Sequence, residues 1–245
     1  MKILITGASS GLGAEFARQY ANDENELILL ARREDKLYSL RHELFEKVKS
    51  IEIIVTDLRE FIPLQTKIAH LEDLDVIILN AGVSLGHSGE MASIEEFKRL
   101  YDVNVLANHA ILEVLLPKLQ KRKRGTIVFI SSLASLFSMP SSKVYSSSKR
   151  ALNAYAEGLR YKYKKDNIKV LNILPGFIRS ELTDKNEFSM PFFLETEVGV
   201  RRMIQAIKKE KEFYAFPKRF YYTIRFLNLL PSFIRHQIVE KFSFK

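Results

Sequence analysis

The chain has 245 residues, is 47% hydrophobic and carries only 10 glycines and 7 prolines, enough apolar material for one large core without a second domain. It contains no cysteine, which excludes disulfides, thiol nucleophiles and thiolate metal sites and leaves the redox compartment open. The net charge is +9, yet residues 201–245 hold 11 Lys/Arg against 3 Asp/Glu, so the basicity is local to the C-terminal end.

The five histidines, at positions 42, 70, 87, 109 and 236, show no metal-ligand spacing, and none is assigned a ligand role. Uninterrupted apolar runs stay short of the roughly 18 residues of a membrane span, so the expectation is a cytoplasmic protein, at most attached to a membrane surface. Residue 3 already lies in a strand-like run with no charged-then-apolar leader before it, and a secretory leader is not expected. Nothing points to a nucleic-acid partner.

Residues 2–5 form a short apolar strand, followed by Thr6-Gly7-Ala8-Ser9-Ser10-Gly11-Leu12-Gly13 and a helical pattern over 14–20. Strand, glycine-rich turn and helix together bring backbone N–H groups and a helix N-terminus up to a pyrophosphate. A second strand, 26–31, ends in Arg32-Arg33. Dinucleotide folds that select NAD put an acidic residue near this strand end, whereas an arginine accommodates the 2′-phosphate of NADP. The acidic position is Ala31 here, so the sequence predicts NADP(H), with NAD(H) as the lesser option. A third strand over 51–55 leads to Asp57-Leu58, and a fourth over 76–79 runs into Asn80-Ala81-Gly82. Residues 94–119 carry long helical periodicity with a break expected near Pro117, and contain Asn104. Five cations in the seven residues 118–124 read as an exposed helix end complementing its dipole.

Residues 126–130 form a continuous apolar run, the mark of a buried parallel strand, whose carboxyl end is where ligands bind in open α/β sheets. Ser132 follows it, Tyr145 lies 13 residues further on, and Lys149 four beyond that. Residues four apart share a helix face, so the Lys149 ammonium is expected near the phenol. At about 4 Å and an effective dielectric of about 20, such a charge favours phenolate by about 4 kcal/mol. That would bring Tyr145 from about 10 towards about 7, where general acid–base catalysis works best. The helix is predicted to run to about residue 164, and its small residues Ser148, Ala151, Ala154, Ala156 and Gly158 predict a subunit-packing face, in a homodimer or homotetramer. A sixth strand, 168–174, closes with Pro175-Gly176-Phe177-Ile178-Arg179-Ser180; residues 181–195 are expected to be a mobile substrate loop, 196–208 a helix and 212–217 a last strand.

With Ser132, Tyr145 and Lys149, the T-G-x-x-x-G-x-G turn, N-A-G and P-G in this order, the chain resembles the short-chain dehydrogenase/reductase family over about residues 1–217. The resemblance implies an α/β, Rossmann-type doubly wound parallel sheet of about seven strands in a single domain, which the alternation of strands and helices predicts independently. It further implies that Tyr145 transfers a proton, Lys149 lowers its pKa and holds the nicotinamide ribose, and Ser132 orients the substrate oxygen. Asn104 would sit at a helix distortion and hold a relay water. The cofactor would lie against Gly7, Ser9, Ser10, Gly11, Leu12, Gly13, Arg32 and Arg33. Asp57 and Leu58 would meet its adenine, Asn80, Ala81 and Gly82 would line the cleft, and Pro175, Gly176, Ile178 and Ser180 would bind the carboxamide end. Threonine is commoner than serine at the last of these positions. The expected activity is carbonyl–alcohol interconversion, with a non-catalytic NADP(H)-sensing regulator as the alternative.

Residues 218–245 form a basic tail of the same domain. Of the 33 residues from 213 onward, 10 are Phe or Tyr, and Phe226, Leu227, Leu230, Phe233 and Ile234 recur at helical spacing broken by Pro231. A pocket lid is the preferred reading over a basic amphipathic segment lying on an anionic bilayer. Either use implies an apolar substrate.

Overall fold

Strands that read as unbroken apolar runs need cover on both faces, and seven of them pair here into one parallel sheet. The computed structural model describes residues 1–85, 90–184 and 190–243. The strands are β1 (Lys2–Thr6), β2 (Glu26–Ala31), β3 (Ser50–Val55), β4 (Val76–Leu79), β5 (Gly125–Ile130), β6 (Ile168–Pro175) and β7 (Phe213–Phe216), in the order β3-β2-β1-β4-β5-β6-β7. β1 pairs with both β2 and β4, with Leu4 between Ile28 and Ile77. The chain reverses its winding direction there, which opens a crevice at the carboxyl ends of β1 and β4.

Side chains alternate across the sheet. Ile3 and Ile5 face the core under α1 (Gly11–Tyr20), α2 (Glu34–Leu44) and α7 (Thr196–Lys208), while Leu4 faces the other core, under α3 (Phe61–Ile68), α5 (Ala107–Arg122) and α6 (Lys143–Tyr163). Each such fully buried aliphatic contributes about 1.5–3 kcal/mol. At Gly13 an added Cβ would lie 2.1 Å from the Gly7 carbonyl oxygen, so glycine is what lets α1 start tight against the turn.

The helical stretch expected over 94–119 breaks elsewhere than at Pro117. α4 (Ile94–Tyr101) opens with a capping box, Glu96 N–H to Ser93 Oγ at 3.1 Å and Ser93 N–H to Glu96 Oε2 at 3.0 Å. A π-helical turn over Asp102–Leu106 then separates it from α5, and α5 runs through Pro117 to Arg122. Pro117 is exposed, so the Glu113 carbonyl it leaves without an N–H partner faces water, while buried Leu115, Leu116 and Leu119 hold the helix to the sheet. Three of the five cations over 118–124 anchor this helix end. Lys118 bonds the Leu71 carbonyl at 3.0 Å and Glu72 at 2.7 Å, Arg122 reaches Asp73 at 3.1 Å, and Arg124 reaches Asp75 at 3.1 Å.

The small-residue face of α6 is narrower than expected: Ser148 and Ala156 are fully buried inside the subunit, leaving Ala151, Ala154 and Gly158 exposed. The segment expected as a mobile loop is partly built. Residues 181–184 form a turn in which the N–H groups of Thr183 and Asp184 both donate to the Ser180 carbonyl at 2.9 Å, and Leu194 bridges Ile178. Residues 185–189 and His87 lie outside the described residues.

The tail forms α8 (Lys218–Leu229) and α9 (Ser232–Ser243). α8 seats Ile224 in a third apolar cluster with Leu133, Leu174 and Ala215, flanked by Leu136, Phe137, Phe220 and Tyr221. Asn228 ties it down by donating to the Leu136 carbonyl at 2.9 Å. Among the described residues no helix is long and apolar enough to cross a membrane.

Candidate active site

The crevice is built from strand ends. At the end of β1, Thr6 Oγ1 accepts the backbone N–H groups of Asn80 and Ala81, each at 3.0 Å, and the Asn80 amide donates to the Thr6 carbonyl at 3.0 Å. One hydroxyl thereby locks the glycine-rich turn to the segment after β4.

Ser132 follows β5 in extended backbone, and its Oγ accepts the Ala134 N–H at 3.1 Å. That leaves its own proton to donate, and its side chain acts to lower the pKa of the Tyr145 hydroxyl, which comes from the first turn of α6. One turn on, Lys149 Nζ lies 5.8 Å from the centre of the Tyr145 ring and donates to the Ile130 carbonyl at 2.9 Å. Asn104 sits fully buried in the π-helical turn. Its Oδ1 accepts the Val83 N–H at 2.8 Å, and its Nδ2 donates to the Val83 carbonyl at 3.1 Å and to Ser148 Oγ at 3.0 Å. The Asn104 carbonyl, which the family resemblance assigns to a relay water, accepts Asn108 Nδ2 at 2.7 Å. Ser132, Tyr145, Lys149 and Asn104 therefore converge on one crevice.

The expected lowering of the phenol is reversed. Burial pushes Tyr145 up to about 12, and the Ser132 hydrogen bond only partly opposes it. Burial also brings the Lys149 ammonium down to about 8. Desolvation is the largest cause in both cases, with the Lys149 ammonium 5.8 Å from the centre of the Tyr145 ring. The Tyr145 side chain is only partly buried, so about 12 marks the upper end of that push.

The other anticipated residues divide. At Gly82 an added Cβ would come within 3.3 Å of Lys149 Nζ and 3.4 Å of Asn104 Oδ1, so bare backbone, cation and amide close on the crevice together. Gly11 holds a φ of +51° at the start of α1. The two arginines point apart. Arg32 is mostly exposed and pairs with Asp57 at 3.6 Å; Asp57 is held down to about 2, chiefly by Arg59. Arg33 turns in to the glycine-rich turn and donates to Ser9 Oγ at 3.2 Å and to Ser10 Oγ. Leu58, Ala81 and Ile178 are buried, Ile178 so tightly that an added Cβ on Gly199 would lie 2.6 Å from it; beside the crevice Ile178 has only backbone to offer. Gly176 donates its N–H to Phe216 at 2.7 Å, which joins the Pro175-Gly176 bend to β7. Ser180 caps the turn beyond, its N–H bonding Thr183 Oγ1 at 2.8 Å. Leu12, next to Gly13 at the start of α1, packs partly buried on the core.

Four residues receive no role of their own from the sequence, although Thr6 opens the glycine-rich motif. Thr6 and Asn153 are ordinary polar residues until the fold brings partners to them. Asn153 Oδ1 receives Ser131 Oγ at 2.6 Å and Asn172 Nδ2 at 3.0 Å, fixing β5 and β6 to α6 beneath Ser132. Lys36, one turn after Arg33, does carry a spacing signal. Glu181 carries none, because its partners are Arg33, Lys36 and Ser10, as many as 171 residues away.

A glycine-rich helix start, inward-facing cations and a crevice bare of side chains at Gly82 fit an anionic dinucleotide. Residues 1–189 match the short chain dehydrogenase family. An uncharacterized oxidoreductase of Myxococcus xanthus is 33% identical over 233 residues, covering 94% of this chain and 92% of its own length. A short-chain dehydrogenase from Sphingobium yanoikuyae, solved in complex with NADPH, superposes with a TM-score of 0.82 at 24% identity over 89% of this chain and 88% of its own. Another from Burkholderia phymatum, solved in complex with NAD, gives 0.81 at 21% identity over 91% of both. The structural likenesses show the fold, and the sequence matches go further: the chain belongs to the short-chain dehydrogenase family, a family of NAD(P)-dependent oxidoreductases.

Proposed function

We propose that the protein interconverts a carbonyl and a secondary alcohol with NADP(H), using Tyr145 as the acid–base group. The observation that carries this reading is the gathering of three groups: Ser132 acts on the Tyr145 hydroxyl, and Lys149 lies one helical turn away with its Nζ 5.8 Å from the Tyr145 ring centre. Bound NADPH would supply the hydride. A phenol held up to about 12 is protonated at neutral pH, so it stands ready to protonate a developing alkoxide, which is the reductive direction. Ser132 orients the substrate oxygen by donating to it, and the buried Lys149 ammonium stabilises the phenolate that remains. Asn104 fixes the segment after Gly82 against α6 through Val83 and Ser148. Arg33 inside the glycine-rich turn supports a 2′-phosphate and hence NADP(H) over NAD(H).

The substrate is an apolar carbonyl compound or alcohol. This follows from α8, which lays Phe220, Tyr221 and Ile224 over Leu133, Leu136 and Phe137, directly beyond Ser132. On the other side of Tyr145 the cleft is bordered by Ser142, Lys143 and Glu90 with Met91 and Val144, so the substrate carries its polar end there. The exposed Ala151, Ala154 and Gly158 strip supports a homodimer packed through α6. The outer face of the tail exposes Tyr222, Phe226, Leu229 and Phe233 among Arg219, Arg225 and Arg235, which supports peripheral contact with an anionic membrane.

NADPH oxidation measured against a panel of apolar aldehydes and ketones tests the reading. Turnover of at least one ketone is expected. Binding of NADPH with no turnover of any panel member would instead make the protein a cofactor-sensing regulator.

A further inference from the structure

The glycine-rich turn and the start of α2 together make an anion cradle, and the chain fills it with one of its own carboxylates. Glu181 Oε1 accepts Lys36 Nζ at 2.7 Å and Arg33 Nη1 at 3.1 Å, while its Oε2 accepts Arg33 Nη1 at 2.8 Å and Ser10 Oγ at 2.9 Å. Arg33 is itself fixed by Ser9 and Ser10. The contact is continued by the backbone, because an added Cβ on Gly11 would meet Ser180 Cβ at 3.2 Å, so the turn beginning at Ser180 lies directly on the glycine-rich turn. Lys36 first, then Arg33 and Ser10, hold the Glu181 carboxyl down to about 2, so it is an anion at any working pH.

We propose that Glu181 is an internal competitor for the 2′-phosphate subsite, made of Ser9, Ser10, Arg33 and Lys36, and that a phosphorylated cofactor must displace it. This rests on the reading of the crevice as a dinucleotide site and adds Lys36 and Glu181 to its specificity determinants. The groups that bind the carboxylate are those a phosphate would need: two cations and the Ser10 hydroxyl donor on one spot, with the Ser9 hydroxyl beside them on Arg33. Two anions do not share such a cradle. The subsite is therefore competent for the 2′-phosphate only in the fraction of molecules in which Glu181 has left, and apparent affinity is reduced by that fraction. A nucleotide lacking the 2′-phosphate puts no second anion on the spot held by Glu181, so its affinity depends far less on the carboxylate's charge. Displacement also removes the carboxylate's tie between the turn over residues 180–184 and the glycine-rich turn.

Calorimetric titration of NADPH and NADH into the full chain, Glu181→Gln and Glu181→Asp tests this. Glu181→Gln keeps the size and removes the charge, so it is expected to tighten NADPH by about threefold to tenfold and leave NADH within about twofold. Glu181→Asp keeps the anion and should behave like the parent. Unchanged or weaker NADPH binding in Glu181→Gln would overturn the proposal, as would equal tightening of both nucleotides, which would place the effect in the turn rather than in the phosphate subsite. A parent chain that binds neither nucleotide would refute the dinucleotide reading itself and this proposal with it. NADPH bound by the parent with no gain in Glu181→Gln would refute the competitor alone.

Discussion

Lys149 is the residue at which stability and chemistry pull hardest against each other. It is 3% exposed, its ammonium has the Ile130 carbonyl as hydrogen-bond acceptor, and burial depresses it from 10.5 to about 8. The folded state therefore binds fewer protons than the unfolded chain between about pH 8 and 10.5, so stability rises with pH across that window; the cost of the buried charge is fully present below it. Tyr145 has the opposite sign, raised from 10.0 to about 12, and removes stability as pH climbs through that higher range. Lys149→Met should thus stabilise the protein by about 1–2 kcal/mol at pH 7, a gain limited by the carbonyl left unpaired, and abolish turnover. Urea unfolding at pH 7 and 9.5 checks this. The variant should start more stable and lose the parent's rise, whereas destabilisation at pH 7 would mean the ammonium contributes net stability. Spacing alone showed that Tyr145 and Lys149 share a helix face. It could not show that Lys149 would point at the ring and at Ile130, since that depends on the end of β5.

Among the elements, the helical region over 94–122 shows most plainly what periodicity carries and what it omits. Apolar spacing gave a helix through the whole region, and a proline is the strongest local reason to end one. The break instead falls at Asp102–Leu106, where Asn104 bonds Val83 and Ser148 and tertiary partners override local propensity. Pro117 continues the helix because its free carbonyl partner is on the wet side. Pro117→Ala restores that N–H, and the gain of up to about 3 kcal/mol is reduced by the greater freedom of the unfolded chain. A net stabilisation of about 1–2 kcal/mol is expected from the urea midpoint, with unchanged turnover. A neutral or destabilising result would mean that α5 is shaped around the proline. The strands were legible nearly to the residue, because burial on both faces leaves continuous apolar runs. The 180–184 turn was not, because its order comes from Arg33, Lys36 and Ser10 across the sheet end.

At the scale of the whole molecule, the strand order brings segments from every third of the chain to one sheet edge: the β1 turn, the β4 end, Ser132 after β5 and the turn after β6. The charge is distributed otherwise, with the basic surplus collected in the C-terminal 45 residues. α8 buries Ile224 and keeps Phe226 and Leu229 outside, so one helix has a packed face and an exposed face. Sedimentation with anionic vesicles should retain the parent at low salt and release it as screening grows, and Phe226→Ser with Leu229→Ser should leave the variant in the supernatant while its fold persists. A parent that stays in the supernatant at low salt would overturn the membrane reading of the tail.

The account stands on Tyr145 as the proton donor, and Tyr145→Phe tests it most directly because the substitution removes one hydroxyl and little else. Titration of NADPH and steady-state turnover of the best ketone from the panel should be measured on the same preparation. Cofactor affinity should stay within about threefold of the parent while turnover falls by about 10²-fold or more. Turnover within tenfold of the parent, with NADPH still bound, would contradict the assignment of the proton to Tyr145.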